Sequence, residues 1–338
     1  MTTKKIGTQT AALANPPSLA GWANVVGKKE GEGPLAHTFD YIDGDDTFGE
    51  STWEKSESAM QKQALSLALD KAGQAASSLD WLFAGDLLNQ CISSSFAARG
   101  QEVPFFGLYG ACSTMGEGLA LASMTLDGGF GEWAAVTASS HFCSAERQYR
   151  TPLEYGSQRT PTAQWTATAS GAVVVTNEVR PGPRVVRVTV GKVVDKGIKD
   201  ANNMGAAMAP AAYETLKAHF EDTGLSPDHY DLIVTGDLGQ LGHEIVSDFF
   251  AKDGVQLANY NDCGLLLFDR EEQDVHAGAS GCGCSASVLC GYLLPGLLAG
   301  RWKRILFCPT GALHSPTATM QGESIPGVCH AIALEGGK

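Results

Sequence analysis

Cys112 is the residue of this chain that its neighbours best equip for chemistry. It stands in Tyr109-Gly110-Ala111-Cys112-Ser113-Thr114, between a short apolar run and a stretch of helical character. A strand-to-helix turn of that kind lifts a side chain from the sheet edge. It also sets it at a helix N-terminus, where the dipole favours a thiolate or a bound anion. The chemistry on offer is nucleophilic attack or ligand contact; the plainer alternative is an inert buried thiol. His141 follows Ser139-Ser140 at the end of another apolar run, a place for a base or a ligand donor. Asp86 and Asp237 close two more runs, and Asn89 lies one turn beyond Asp86. For each aspartate the alternative is a turn or a helix cap. Arg147, in Glu146-Arg147-Gln148-Tyr149-Arg150, can grip a carboxylate bidentately, a contact of ~1.5–3 kcal/mol. Otherwise it belongs to a solvated helix face. Tyr155 can supply an aromatic wall, and Ser280 stands in a glycine-rich loop of the second half.

The elements that must position these residues occur twice. Asp80-Trp81-Leu82-Phe83-Ala84-Gly85-Asp86-Leu87 is echoed by Asp231-Leu232-Ile233-Val234-Thr235-Gly236-Asp237-Leu238, at an offset of 237 − 86 = 151. Ala111-Cys112-Ser113 leads through an apolar stretch to Gly128, as Gly283-Cys284-Ser285 does to Gly300. Both pairs are offset by 284 − 112 = 172. Matched blocks in one order argue for a duplicated α/β unit, with halves 1–180 and 181–338 joined at the polar Asn177–Pro183 stretch. If the halves pack about a pseudo-twofold axis, the loops after the strands share one face with Cys112.

The capping-box sequence Ser51-Thr52-Trp53-Glu54 predicts a helix that runs to Ala72 and stops at Gly73. Its buried face is expected at Met60, Ala64, Leu67, Ala68 and the Lys71 stem. Predicted strands are 80–85, 103–109, 134–138, 170–176, 185–194, 232–235, 273–277, 304–308 and 328–334. Predicted helices are 114–126, 211–222 starting at Pro210, and 284–298. Strands alternating with helices imply a sheet covered on both faces.

The net charge, 24 − 37 = −13, excludes a broad phosphate-tracking surface, so no nucleic-acid partner is expected. Nine cysteines without a CxxC pair fit reduced thiols rather than a disulfide framework or a zinc site. Residues 278–300 carry no charge and are long enough to suggest a membrane span. Their glycines and Pro295, and the Glu117 and Asp127 of their first-half echo, favour a buried central helix instead. No secretory signal is expected.

With two α/β units and a cysteine at the strand–helix turn, the chain resembles the thiolase superfamily. The resemblance implies a five-layer α-β-α-β-α fold with pseudo-twofold halves. More specific matches are Gly33-Pro34-Leu35-Ala36-His37, Ala84–Gln90, Gly110–Thr114, Ala145–Gln148, Met208–Ala211, Asn261–Gly264 and Ser324-Ile325-Pro326. Together these resemble the stage V sporulation protein AD family. That resemblance implies a protein that binds dipicolinic acid (pyridine-2,6-dicarboxylate), with no other cofactor. It would work with membrane proteins of the same operon in transport of the calcium salt into the forespore, with a bearing on germination. It also implies a soluble protein peripheral to the spore inner membrane.

Superfamily members of this fold commonly dimerise, so a homodimer is one expectation. The ligand residues expected on this reading are Cys112, His141, Asp86, Asn89, Arg147, Tyr155, Asp237 and Ser280. Asp86 or Asp237 would offer oxygens to a ligand-held calcium ion. The chain departs from the Cys-His-Asn condensing enzymes: no histidine stands near Gly236-Asp237-Leu238 and no asparagine near Gly281-Cys282-Gly283. The implied protein is a catalytically retired one. The alternatives are a Cys-dependent acyl transferase, with Cys112 as nucleophile and His141 as base, and a purely structural partner.

Overall fold

The computed structural model describes residues 4–149 and 158–337. Ten strands build the frame, here β1 (Ser18–Val26), β2 (Trp81–Gly85), β3 (Phe105–Leu108), β4 (Trp133–Ser140), β5 (Ala169–Thr176), β6 (Arg184–Val190), β7 (Leu232–Gly236), β8 (Tyr260–Asp262), β9 (Arg304–Ala312) and β10 (Gly327–Glu335). The first five lie in the order β3-β2-β4-β5-β1 and the second five in the order β8-β7-β9-β10-β6. In each set the first three strands are parallel and the last two antiparallel. Each strand of one set thus has its counterpart in the other. A single β1–β6 pairing, Ser18 with Arg184, links the two sheets.

Six helices matter here: α1 (Trp53–Ala72), α2 (Thr114–Asp127), α3 (Phe142–Tyr149), α4 (Met204–Thr223), α5 (Gly239–Lys252) and α6. The last is Cys282–Val288, continued through a π turn at Leu289–Leu293 into Leu294–Leu298. α1 packs on β1, β5 and β4 outside the first sheet; α4 packs on β10 and β9 outside the second. α2 and α6 lie between the sheets, each touching strands of both. The stack is α-β-α-β-α. Strands β4 and β5 are buried along their whole length, as a doubly covered sheet requires. Close approach at the centre needs small residues: a Cβ at Gly283 would stand 2.0 Å from the Ala169 carbonyl.

The structure corrects several local expectations. Ser51–Glu54 forms no capping box; Thr52 is the N-cap, makes no side-chain cap bond, and Glu54 pairs with Arg147 instead. The buried face of α1 includes Leu65 and Leu69, while Leu67 is only half-buried and Lys71 faces solvent. Gly73 ends α1 in the left-handed conformation (φ 69°), as its lack of a Cβ permits. α4 starts at Met204, not at Pro210. The Asn203 side chain caps it by accepting from the Ala206 amide, and burial of Ala207–Ala212 outweighs the hydrogen bond that Pro210 cannot donate. Residues 273–277 are a loop, with Asp274 and His276 at positive φ. The strand comes later, at Ala279–Ser280, paired with Trp165–Thr166. Helix α5 and strand β8 went unforeseen. Within 278–300, Cys282–Leu298 is the buried central helix, and no described helix is long and apolar enough to cross a membrane.

Candidate functional site

Cys112 sits in a tight turn, Ala111–Ser113, that feeds α2. Ala111 is forced to φ 50°, a conformation that costs a residue with a Cβ and that local contacts must hold. Its carbonyl accepts the Cys282 thiol at 2.9 Å and the Thr114 hydroxyl at 2.7 Å. Gly311, on β9, presses against the same turn; a Cβ there would lie 3.1 Å from the Cys112 amide nitrogen. The cysteine is thereby clamped between the two halves of the molecule.

A cavity of about 300 Å³ opens beside it, at the carboxyl ends of the parallel strands. Ser280 and Gly281 line it from the second half, together with Gln164, Asn202, Tyr149 and His314. The Cys112 thiol is buried and its pKa is pushed well above the ordinary value, by burial first and the Asp237 carboxyl second; a hydrogen bond from the Gly281 amide only partly opposes this. The thiolate expected from the helix dipole does not form, because loss of water outweighs half a unit charge at a helix end.

Asp237 and Cys282 stand near Cys112, close enough for the Asp237 carboxyl and the two thiols to act on one another electrostatically. Asp237 is fully buried at φ 73°, and neither carboxyl oxygen meets a donor in hydrogen-bonding geometry. Burial, then the Asp262 charge, push its pKa well above the usual carboxylate range, and the neighbouring Cys284 and Ser285 side chains only partly oppose this. Asp262 is raised only to about 6, because Thr235 and the amides of Leu238, Gly239 and Gly264 donate to it.

Asp86, the sequence echo of Asp237, is a structural cap. It accepts the Leu88 amide at 2.8 Å and both the Ser94 amide and hydroxyl, at 2.8 and 2.6 Å. Neither aspartate lines the cavity. His141 is also buried outside the cavity lining. Its Nε2 bonds the Asp46 carbonyl at 2.9 Å and its Nδ1 accepts the Cys143 amide, so both nitrogens are occupied. Burial lowers its pKa, leaving it neutral. Asn89 and Arg147 lie together on a separate groove, where Arg147 forms an ion pair with Glu54. Tyr155 and Arg150 lie outside the described residues. Of the eight expected residues, the structure brings Cys112 and Ser280 together in the cavity.

Among the cavity residues that escaped sequence reasoning are Gln164, Asn202, Tyr149 and His314. For His314 the signal was present. The offset of 172 carries His141 to position 313, one residue away, and both histidines follow equivalent strands. His314 Nε2 meets the Thr319 hydroxyl at 3.0 Å, its ring lies 5.4 Å from Tyr149, and burial lowers its pKa. Gln164 donates to the carbonyls of Asp237 and Ala279, a tie between the halves that no local pattern announces. All nine cysteines are free thiols. No group of three or more His, Cys, Asp or Glu converges as a metal centre among the described residues.

Comparison with known proteins agrees with this geometry. The family model described as stage V sporulation protein AD matches residues 7–335. The stage V sporulation protein AD of Bacillus subtilis (strain 168) is 42% identical over 334 residues, covering 98% of each chain. Among solved structures, a variant of Xanthomonas campestris OleA superposes with a TM-score of 0.61 at 16% identity, covering 99% of both chains. The 3-oxoacyl-[acyl-carrier-protein] synthase III of Aquifex aeolicus gives 0.56 at 14% identity, over 94% of this chain and 99% of that one. At such identities these two establish the fold.

Proposed function

The chain belongs to the stage V sporulation protein AD family, and from that premise we propose that it binds dipicolinate in the Cys112 cavity as a non-catalytic subunit of a spore uptake system. The observation that carries the reading is the setting of Cys112: a buried thiol whose neighbours are a buried carboxyl, Asp237, and a second thiol, Cys282, where acyl transfer would call for a base and an oxyanion donor. Removing one oxyanion donor from an acyl-transfer enzyme typically costs about 10²–10³ in rate. What survives is the cavity. Its volume of about 300 Å³ suits a single planar ring with two carboxylates, and beside the Glu146 carboxylate its lining offers Gln158, Thr166, Asn202 and Ser280 as neutral groups able to hydrogen-bond such a ligand. The experiment is calorimetric titration of the whole protein with dipicolinate. Wild type and Cys112→Ala are expected to bind within about threefold of each other, and Ser280→Trp to bind at least tenfold more weakly. Equal binding by Ser280→Trp would remove the ligand from this cavity.

One observation favours a second reading, acyl transfer. Cys112 retains the turn at a helix start and the close approach of Gly311 to its amide, as a nucleophile would need. His141 cannot be its base in this arrangement, since both ring nitrogens are engaged. A stable adduct on Cys112 after incubation with an acyl-thioester, seen by intact-mass spectrometry, would establish that reading. Association with the membrane proteins of the same operon, as a protein peripheral to the spore inner membrane, belongs to the proposal as well. Co-purification with those proteins from sporulating cells tests it.

A further inference from the structure

Behind one wall of the Cys112 cavity two cations converge on one indole. The wall is the segment 158–166. Gln158 and Thr166 line the cavity, while their neighbours Arg159 and Trp165 do not. Lys29 Nζ lies 4.3 Å from the Trp165 ring and the Arg159 guanidinium 4.6 Å from it. Phe142 stacks on the same indole at 3.9 Å, which fixes the ring as a platform.

Two like charges in one half-buried place call for a counter-charge. Those present are poorly suited. Asp274 takes only Arg159 Nη2, at 3.1 Å, and is itself 78% exposed. Glu30 is fully buried and raised to about 8, so it carries little charge at pH 7. Among the described residues, Glu32, Asp46 and His276 are the further titratable groups nearby; His276 faces Asp274 rather than the cations. The Lys29 pKa is lowered, by burial first and the Arg159 charge next, so the shortage of anion is felt at the lysine. The Arg159 side chain is only 9% exposed, and its Nη1 has no acceptor among the described residues. A buried guanidinium N–H without an acceptor is uncommon and needs an explanation. Lys29 Nζ uses one donor on the Gln273 carbonyl, leaving two.

We propose that Lys29, Arg159 and Trp165 form a second binding site, for a small carboxylate anion, on the far side of the cavity wall. The carboxylate accepts from Arg159 Nη1 and Lys29 Nζ, and the indole closes one side. Lys29 and Trp165 are partly exposed, so two of the three residues can be reached from solvent. The proposal is independent of dipicolinate binding, because neither cation lines the Cys112 cavity.

The test uses the whole protein labelled with nitrogen-15, titrated with sodium acetate at constant ionic strength. The readout is the indole N–H resonance of Trp165, assigned with Trp165→Phe. A saturable shift is expected in wild type, weakened at least tenfold in Arg159→Gln and in Lys29→Gln. Lys29 is near the rim, so its variant keeps the test valid should Arg159→Gln misfold. Ser280→Trp, which fills the Cys112 cavity, is expected to leave the acetate shift unchanged. A shift without saturation, one that both cation variants retain, or one that Ser280→Trp abolishes would overturn the second site and leave dipicolinate binding untouched.

Discussion

At the scale of single residues, burial decides chemistry more than position in the chain does. Cys112 has the helix-end address of an activated thiol, yet burial keeps it protonated. Its alkylation by iodoacetamide in the native protein is therefore expected to run at least 100-fold slower than in the urea-unfolded chain, with mass spectrometry following peptide 112. A rate near that of the unfolded thiol would contradict this state. Asp86 and Asp237 make the same point in a pair. They end equivalent strands, but Asp86 accepts three hydrogen bonds and Asp237 accepts none. Asp86→Asn turns one acceptor toward a donor and is expected to cost ~1–3 kcal/mol. Asp237→Asn replaces a buried carboxyl whose oxygens accept no hydrogen bond with an amide of the same shape, at a cost below about 1 kcal/mol. Urea denaturation of the two variants compares them directly. Similar losses would mean that Asp237 holds its surroundings together after all.

At the scale of elements, the site exists because two central helices approach the strands at glycine. Gly283→Ala places a Cβ 2.0 Å from the Ala169 carbonyl, on backbone that cannot swing aside. Overpacking of that kind is expected to cost at least ~2 kcal/mol, read as a lower urea midpoint. The sequence showed these elements where a pattern is local. The strand–Gly-Asp pairs, the Cys112 turn and the Gly73 stop all stood where their residues said. Non-local effects stayed hidden. Pro210 reads as a helix start, and only the buried alanines around it carry the helix through. Arg147 reads as a carboxylate clamp until α3 and α1 fold side by side and offer Glu54. His141 and Cys112 look like a base and its nucleophile in a list of residues. The fold gives the histidine to the Asp46 carbonyl, across 95 positions of chain.

At the scale of the whole molecule, the duplicated plan leaves buried titratable groups whose linkage sets stability against pH. Glu30 and Glu57 are both raised to about 8 by burial, so the folded state holds protons there that the unfolded chain releases above pH 4.5. Their contribution is greatest below the unfolded value and is lost as pH rises toward 8. His219 and His330 are lowered to about 4 by burial, so their contribution is present above pH 6.5 and lost on acidification. The two effects oppose each other between pH 4.5 and 6.5; above 6.5 only the glutamates act. The melting temperature is expected to fall between pH 6.5 and 8, and Glu57→Gln to flatten part of that fall; a profile rising across this window would reverse the sign. For a function that rests on binding without catalysis, the most direct measurement is a crystal structure with dipicolinate bound. The expected result is the ring in the Cys112 cavity, between Ser280 and His314, with the Cys112 sulfur unmodified. Dipicolinate bound elsewhere on the protein, or a covalent adduct on Cys112, would contradict it.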